Sequence, residues 1–281
     1  MQNSSAQGLT NNSDGQERYT LGYSPETIQQ LQRRTAAKEA GFFLPHLQSG
    51  MNLMDCGCGP GTITIGLAEV VAPGQVVGVD IQPSQFKLAR SHAAEHGAAN
   101  VRFTAANAYR LPFGEGIFDA IFSHNVLSHL RNPLEVLKGM HQLLKPGGVI
   151  GLSHPDFSGG LISPSNPLLD RGRKLYWRLV EQNGGNPAIG KDQRALLHEA
   201  GFVRIEASAR YSVAGTQDAV RARAGHGVRS FEASNIGEQI IELGWADRSE
   251  LEKISAAWRI WGEYPGAFMA HAAVTAVGWK A

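Results

Sequence analysis

Short apolar segments suited to buried strands alternate with helical patterns through most of the chain. Strands are predicted at residues 52–56, 75–80, 101–105, 118–123, 149–153, 202–209 and 269–279. Helices are predicted at residues 27–35, 36–44, 62–71, 83–96, 133–144, 168–182 and 192–200. Short strands that alternate with helices are typical of a parallel sheet covered on both faces, so the pattern predicts an α/β fold.

An N-terminal extension and two insertions surround this alternating core. Residues 1–17 are rich in Gln, Asn, Ser and Gly and are predicted to be disordered. The pattern further predicts an N-terminal helical lid at 18–48, a core at 49–156, an insertion at 157–190, more core at 191–214, a helical cap at 215–265 with a break at 222–227, and a closing strand at 266–281. Because the lid precedes the first core strand, it can fold over a ligand or exchange between subunits, which makes a homo-oligomer one expectation.

A glycine-rich turn follows the first predicted core strand and opens the next helix. The turn contains Gly57, Gly59 and Gly61, and the helix begins at Thr62. This order of strand, turn and helix presents backbone N–H groups and a helix N-terminus to a ligand. Glycine has no Cβ, so a cofactor can lie directly against the chain. We therefore expect the cofactor site at this turn.

The composition of the chain bears more on its binding partners and location than on any reaction it catalyses. The chain has 281 residues, of which 42% are hydrophobic, and this is enough for one large domain with a full core. Its net charge of +1 gives no basis for binding nucleic acid or an anionic membrane surface. Cys56 and Cys58 are separated by one residue, which predicts neither a disulfide nor a zinc site. The N-terminus is polar and no apolar run reaches roughly 18 residues, so we expect no membrane span and a cytoplasmic location.

The spacing of the turn distinguishes between nucleotide cofactors. A nicotinamide fingerprint is G-x-G-x-x-G, whereas here the glycines alternate in CGCGPG after Asp55, a pattern of S-adenosylmethionine (SAM) sites. Asp80 ends the second strand, where a carboxylate meets the two ribose hydroxyls. Ile81 would then lie against the adenine. The alternatives are a turn aspartate at the end of a strand and an ordinary core isoleucine.

Five stretches resemble the class I SAM-dependent methyltransferases, in the branch similar to the ubiquinone/menaquinone C-methyltransferases. They are DCGCGPG at 55–61, VD at 79–80, ANA at 106–108 with LPF at 111–113, FDAIF at 118–122 and LKPGG at 144–148. The resemblance implies a Rossmann-like doubly wound sheet in the order 3-2-1-4-5-7-6 with only the last strand antiparallel. It also implies SAM as cofactor and S-adenosylhomocysteine (SAH) as product. Cys58 and Ala108 fall within these motifs and are expected at the cofactor.

One position departs from the family pattern. Asn107 stands where the family usually has an aspartate that faces the adenine amino group. An amide oxygen can accept the same hydrogen bond, so adenine binding is still expected. The alternative is a residue of a surface loop.

Methyl transfer from a sulfonium is an in-line displacement, which requires alignment, exclusion of water and sometimes removal of a proton from the acceptor. His154, just after the fifth strand, is the predicted base, with a hydrogen-bonded loop histidine as the alternative. Ser123 and His124 end the fourth strand and are expected near the methionine part of the cofactor. The ten histidines are scattered, and no metal site is predicted.

The lid supplies further candidates. Tyr23 is predicted to cover the sulfonium with its ring face and is counted as a catalytic residue, with Tyr19 beside it. The alternative is that both rings only anchor the N-terminus. Arg34 is a candidate for the cofactor carboxylate, and an exposed helical arginine is the alternative.

The two insertions carry more aromatic residues than a minimal methyltransferase domain requires. Together with the lid, they give a predicted acceptor pocket lined by Tyr19, Tyr23, Tyr176, Trp177, Phe231 and Trp258. A weaker resemblance to methyltransferases of indole alkaloids and prenyl chains, including teleocidin-type enzymes, implies carbon methylation of an indole or prenyl natural product. The alternatives are an O- or N-methyltransferase of a small aromatic acceptor, an NAD-dependent oxidoreductase, or a SAM-binding protein without transfer activity.

Overall fold

The computed structural model describes residues 17–232 and 234–281, so the predicted disordered tail lies outside the described residues except for Glu17. One seven-stranded sheet has the order β3-β2-β1-β4-β5-β7-β6. The strands are β1 Leu53–Cys56, β2 Val76–Asp80, β3 Val101–Ala105, β4 Phe118–His124, β5 Leu144–Ser163, β6 Val203–Ala214 and β7 Phe268–Trp279. β7 is antiparallel to β5 and β6, and the pairs among β1 to β5 are parallel. The predicted strand order and antiparallel last strand are confirmed.

Helices follow the strands and extend beyond them. They are α1 Pro25–Gln32, α2 Ala36–Glu39, α3 Thr62–Val71, α4 Gln85–Glu95, α5 Pro133–Leu143, α6 Pro167–Gln182, α7 Gln193–Glu199, α8 Gln217–Glu232, α9 Asn235–Glu242 and α10 Arg248–Glu263. Ser24 caps α1, and its hydroxyl accepts from the Thr27 N–H at 3.2 Å. The predicted helix 36–44 is shorter than expected: α2 ends at Glu39, and a 3-10 turn, Leu44–His46, takes in Pro45. No helix of the described chain is long and apolar enough to cross a membrane.

Hydrophobic packing on one face of the sheet fixes the N-terminal segment, residues 17–47. Phe43 is fully buried and stacks on Phe122 of β4, with ring centroids 5.7 Å apart. A methyl group on Gly151 would lie 2.4 Å from the Phe43 ring, so only glycine leaves room for this contact. Because Phe43 is anchored, the preceding residues are held close to the carboxyl ends of the central strands.

A separate apolar cluster joins α6, α8, α9 and α10 above the sheet. The closest approach in it is between Gly227 of α8 and Trp258 of α10, where a methyl group on Gly227 would lie 2.4 Å from the indole. The predicted break at 222–227 is therefore wrong. Gly227 lies inside a continuous helix, where it allows Trp258 to pack closely. A local sequence pattern does not indicate this contact, because Trp258 lies far along the chain.

β5 runs for 20 residues, far beyond the predicted 149–153. The LKPGG stretch at 144–148 forms its irregular start, where Gly147 and Gly148 form backbone hydrogen bonds with Lys280. At its other end β5 pairs with β7 as far as Asp156 and again from Leu161, and residues 157–160 bulge out between these pairs. Long antiparallel pairing with β7 thus replaces the loop expected after Asp156, and β6 is extended for the same reason.

Candidate active site

A continuous cavity of about 630 Å³ lies at the carboxyl ends of the parallel strands. One part, here called the sheet half, is lined by the glycine turn, the ends of β2 and β4, and the N-terminal segment. The other part, the helical half, is lined by residues of α6 and α8, the bulge of β5, and facing positions of β6 and β7. Open α/β sheets bind ligands at this edge.

The glycine turn lies where the sequence predicts it, and its backbone explains the glycines. Gly57, Gly59 and Gly61 all have positive φ, at 83°, 50° and 78°. A methyl group on Gly57 would meet Val126 at 2.0 Å, whereas one on Gly59 would meet nothing nearer than 3.9 Å. The first and last glycines therefore permit packing and chain reversal, while Gly59 leaves its backbone open to the cavity. Gly61 is followed by α3, whose first N–H groups have no side-chain cap.

Asp80 braces the turn from the end of β2. Its Oδ2 accepts from the Gly59 N–H at 2.8 Å and its Oδ1 accepts from the Gln82 N–H at 2.9 Å. Each carboxylate oxygen has a second lone pair, which leaves acceptor capacity for two hydroxyl groups. Burial raises the pKa of this carboxyl, and the backbone hydrogen bonds oppose that rise.

Asp55 lies beneath the turn. Its Oδ2 accepts from the Thr64 hydroxyl at 2.6 Å, and only 2% of the residue is exposed. Burial raises the pKa of Asp55 to about 7, and the bond from Thr64 lowers it. The Asp55 carboxylate thus ties β1 to α3 and supports the turn. The Thr62 hydroxyl, at the start of α3, donates to the Leu31 carbonyl at 3.4 Å, so this side chain ties the turn to α1.

The predicted adenine contacts border the same opening. Ile81 is 51% exposed, which is high for an isoleucine beside a cavity, and Ala108 also lines the wall. Asn107 is exposed, and its Oδ1 accepts from the Tyr109 N–H at 3.0 Å. This amide oxygen shapes a local turn and keeps one lone pair free. Cys58 is buried, and burial raises the pKa of its thiol. Its backbone therefore forms part of the turn, and its thiol is not a reactive group.

The N-terminal segment covers the sheet half with aromatic rings. Tyr19 and Tyr23 have ring centroids 5.0 Å apart, and Tyr19 lies edge-on to His129 at 4.8 Å. Burial and the nearby Asp80 raise the pKa of Tyr23. Arg34 also lines the cavity, and within the described chain its guanidinium has no hydrogen bond or ion pair. Burial lowers the pKa of Arg34, which is the expected effect on a desolvated cation.

Two predicted contacts at the end of β4 differ from each other. Ser123 is fully buried outside the cavity lining, and its hydroxyl donates to the Cys56 carbonyl at 3.1 Å. The Ser123 side chain thus joins β4 to β1, and a contact of this residue with the methionine part of the cofactor, through backbone or side chain, stays a prediction. His124 does line the cavity, with Nε2 3.5 Å from Glu39 Oε2. Burial lowers the pKa of His124 and the Glu39 carboxylate opposes that effect.

His154 has both ring nitrogens engaged within the core. Its Nε2 accepts from the Leu127 N–H at 2.9 Å, and its Nδ1 faces Gln193 Oε1 at 3.4 Å. Burial lowers the pKa of this fully buried ring to about 3. His154 lines the cavity, but this arrangement leaves its ring no free lone pair for an acceptor proton, which argues against the predicted role as the catalytic base, and that role stays a prediction. The arrangement supports the alternative of a hydrogen-bonded histidine that positions the Leu127 backbone beside the site.

The helical half contains the predicted aromatic residues of the insertions. Tyr176 lies at right angles to Phe157 with ring centroids 5.8 Å apart, and Trp177 lines the same wall. Phe231 and Trp258 border the cavity while they also belong to the apolar cluster of the helices. These two residues thus serve as both core and cavity wall.

Four cationic or basic side chains that the sequence reasoning missed also line this half. They are Arg173 on α6, Arg223 and His226 on α8, and His271 on β7. The spacing of Arg223 and His226, three positions apart, indicates a shared helix face once α8 is continuous. The predicted break at 222–227 concealed that signal.

The residues of the sheet half fit SAM. The spare lone pairs of Asp80 suit the ribose hydroxyls, and the open backbone at Gly59 suits the amino acid moiety. The exposed Ile81 suits the adenine. Arg34, which has no partner within the described chain, suits the carboxylate of the amino acid moiety. Among residues 17–232 and 234–281, no three His, Cys, Asp or Glu side chains are grouped so that they could hold a metal ion.

Comparison with known proteins places these features in a family. Residues 47–195 match the sequence profile of a methyltransferase domain. The chain is 34% identical over 152 residues to "Probable methyltransferase ltbC" of Aspergillus luteorubrus, covering 51% of each protein, so the chain spans about half the length of that relative. It is 27% identical over 240 residues to an uncharacterized methyltransferase of Schizosaccharomyces pombe, covering 82% of this chain and 84% of that protein.

Two further comparisons concern a named acceptor and the fold. The chain is 36% identical over 180 residues to a demethylmenaquinone methyltransferase of Lactococcus lactis, covering 56% of this chain and 68% of that protein. Its fold is similar to that of the YcgJ protein of Bacillus subtilis, with a TM-score of 0.58 and 18% identity, covering 86% of this chain and 97% of that one. The cavity agrees with the profile match, and the predicted enzyme class is confirmed: the chain belongs to the methyltransferase-domain family.

Proposed function

We propose that this methyltransferase methylates an apolar small molecule, by carbon methylation of an indole or prenyl acceptor. The observation that carries the proposal is the continuity of the cavity. Its sheet half fits SAM, and its helical half adds the rings of Phe157, Tyr176, Phe231 and Trp258. Aromatic and apolar walls beside a cofactor site are typical of pockets for small organic ligands. The Lactococcus lactis relative, which is named for demethylmenaquinone, supports an apolar acceptor.

The residues of the sheet half would orient the donor. Asp80 would accept from the ribose hydroxyls, and Arg34 would pair with the carboxylate of the amino acid moiety. Tyr19 and Tyr23 would cover the sulfur, exclude water and attract its positive charge through their ring faces. When bound, SAM supplies a methyl group that is strongly electrophilic because it is attached to positive sulfur.

The acceptor would attack from the helical half. The walls of the helical half would hold an electron-rich carbon of the acceptor so that it faces the methyl group that bound SAM would supply. Because His154 is engaged on both nitrogens, we assign it a positioning role and expect no strong base to be required for attack. The side chains around the acceptor would thus supply mainly alignment and a dry environment.

The test has two parts. Calorimetry is expected to show tight binding of SAH and no binding of NADH; the opposite result would support the oxidoreductase alternative. Mass spectrometry of reactions with SAM and a panel of indole and prenyl acceptors is expected to show addition of one methyl group, and NMR of the product is expected to place it on carbon. A methyl group on oxygen or nitrogen would overturn the carbon assignment while leaving methyl transfer in place.

Three other expectations remain predictions. A cytoplasmic location is supported by Cys56 and Cys58, which are both buried and unbridged. The near-neutral net charge argues against a nucleic-acid partner. A homo-oligomer formed through the N-terminal segment can be tested by light scattering of the full chain.

A further inference from the structure

The helical half of the cavity is basic. Arg173 on α6, Arg223 and His226 on α8, and His271 on β7 all line it. Every acidic residue of the cavity lining comes from the N-terminal segment or from β1 and β2; these residues are Glu17, Glu39, Asp55 and Asp80. Among the described residues, α6, α8, β6, β7 and the bulge contribute no carboxylate to the lining.

The bulge of β5 creates the space in which these groups meet. β7 pairs with β5 on either side of His271, at Ala270 and Ala272, while residues 157–160 bulge out opposite it. Phe157 lies edge-on to the His271 ring with centroids 6.0 Å apart. At the other end of the bulge, a methyl group on Gly160 would lie 3.6 Å from Arg173 Nη2. One end of the bulge therefore contacts the His271 imidazole and the other approaches the Arg173 guanidinium, whose charge contributes to lowering the pKa of His271.

Arg223 adds a second cation to the cavity lining, from α8. It lies three positions before His226 on α8, so both side chains project from the same helix face. The structure gives Arg223 no hydrogen bond or ion pair within the described chain, although the residue is only partly exposed. Burial lowers its pKa, and no acidic group opposes that effect. An unpaired, desolvated guanidinium is costly unless a ligand supplies the missing partner.

The pKa values of the two histidines in this half, His226 and His271, are affected by the same arginine charges. Burial, followed by the charges of Arg223 and Arg173, lowers the pKa of His271 to about 3. Burial and Arg223 likewise lower the pKa of His226 to about 4, and the His226 Nδ1 lies 3.2 Å from Gln30 Nε2. Arg173 has one carboxylate nearby, Asp170 at 3.5 Å, but that residue is half exposed and outside the cavity lining. Such a surface pair neutralises little of the charge inside.

We propose that the helical half binds an anionic oxyacid group of the acceptor, a carboxylate or a phosphate, between Arg173 and Arg223, with His271 beside them. This inference rests on the proposed function, because it assigns the acceptor to this half of the cavity. The acceptor is then amphipathic: its apolar body lies along Tyr176, Trp258 and Met269, and its charged end fixes which atom faces the methyl group. The planar fork of arginine suits both oxyacids, since each offers two oxygens to parallel N–H donors.

The test uses four probes with one apolar chain: octanoate, octyl phosphate, octanol and octylamine. Each is titrated calorimetrically into the full-length protein saturated with SAH. At least one anion is expected to bind about tenfold or more tightly than octanol, the effect of one charge-assisted hydrogen bond. The ratio of octanoate to octyl phosphate affinity identifies which oxyacid the site takes. Octanol binding as tightly as both anions, or no binding by either anion, would overturn the proposal.

Variants locate the effect. Arg223→Gln and Arg173→Gln are each expected to reduce anion affinity about tenfold, and Arg223→Glu is expected to reverse the preference towards octylamine. Arg221→Gln is the matched control, because Arg221 lies on the same helix but pairs outside with Glu263 at 2.9 Å. Unchanged anion binding in both glutamine variants, or an equal loss in the control, would contradict the assignment.

SAH affinity, measured on the same samples, separates this inference from the proposed function. Normal SAH binding without anion preference refutes only the oxyacid subsite. Failure of the wild-type protein to bind SAH refutes the proposed function instead. Because Arg173 and Arg223 are on different helices, each variant checks the other if one of them does not fold.

Discussion

The two halves of the cavity are built in different ways. The sheet half consists largely of backbone at strand ends, with carboxylates at Asp55 and Asp80, and its central feature, the turn from Gly57 to Gly61, is continuous in the sequence. The helical half consists of side chains from α6, α8 and β7, which are separated by long stretches of chain, and its charged members are Arg173 and Arg223. A local motif can therefore predict the first half, whereas the second exists only after the helices have packed.

This difference assigns separate tasks to the two halves. A rigid arrangement of backbone and carboxylates suits one fixed cofactor, and side chains on inserted helices suit a particular acceptor. Substitutions in one half should accordingly change the affinity for one ligand and leave the affinity for the other intact. The following predictions test that separation, from the largest expected effect to the smallest.

Gly57→Ala is expected to lower the free energy of unfolding by about 2–4 kcal/mol. The residue has φ of 83°, and the added methyl group would meet Val126 at 2.0 Å. Gly139→Ala is the control, since Gly139 lies within α5, and a methyl group there would meet nothing within 4 Å. That change should raise stability by up to about 1 kcal/mol. Urea unfolding measures both, and equal stability of the two variants would contradict the assigned geometry of the turn.

Asp80→Asn is expected to weaken SAH binding about 100-fold, which calorimetry can measure. The asparagine NH2 group would place donors against the N–H group of either Gly59 or Gln82, and the side chain would lose one of the two acceptors for the ribose. Asp119→Asn is the matched control: Asp119 pairs with Lys145 at the opposite end of β4. An Asp80→Asn protein that binds SAH as the wild type does would break the assignment of the sheet half.

His154 should make the protein less stable in acid. Its folded pKa of about 3 lies below the unfolded value of 6.5, so the unfolded state binds the proton first. The stabilisation is complete above pH 6.5 and is lost as the pH falls towards 3, by about 2 kcal/mol between pH 7 and pH 5. His154→Gln is expected to flatten this part of the profile in urea unfolding at several pH values.

The same variant distinguishes positioning from catalysis. With a positioning role, His154→Gln should retain the pH profile of kcat, because glutamine can still accept from the Leu127 N–H. Loss of the limb of that profile that reports a base would restore His154 as the catalytic base. The exposed His96 provides the control substitution, His96→Gln.

Tyr23→Leu should weaken SAM binding about three- to tenfold while changing SAH binding less, since only SAM carries the positive sulfur. Tyr23→Phe keeps the ring and should bind both as the wild type does. Equal losses of SAM and SAH affinity in Tyr23→Leu would favour the alternative that the tyrosines only anchor the N-terminal segment.

The sequence could predict those features that depend on neighbours along the chain. The strand, turn and helix around Gly57 to Gly61 are local, and the alternation of elements predicts a mostly parallel sheet. His154 could not be judged in this way, because its partners Leu127 and Gln193 are 27 and 39 residues away. For Ser123 the sequence predicts the strand end, but the partner of its hydroxyl, the Cys56 carbonyl, is 67 residues away and could not be predicted locally.

The helical half shows the limit most clearly. Gly227 resembles a helix breaker in the sequence, yet Trp258 packs against it and α8 continues. The aromatic residues of the insertions were identified from their number alone, since apolar rings indicate a pocket whatever their order. The convergence of Arg173, Arg223 and His271 required the bulge of β5, which no local pattern predicts.

The most direct measurement is a crystal structure with SAH bound. The ribose hydroxyls are predicted to lie within hydrogen-bonding distance of Asp80, and the sulfur is predicted to face the helical half beneath Tyr23. Density that places the nucleoside in the helical half, against Arg173 and Arg223, would contradict the division of the cavity on which the proposed function depends.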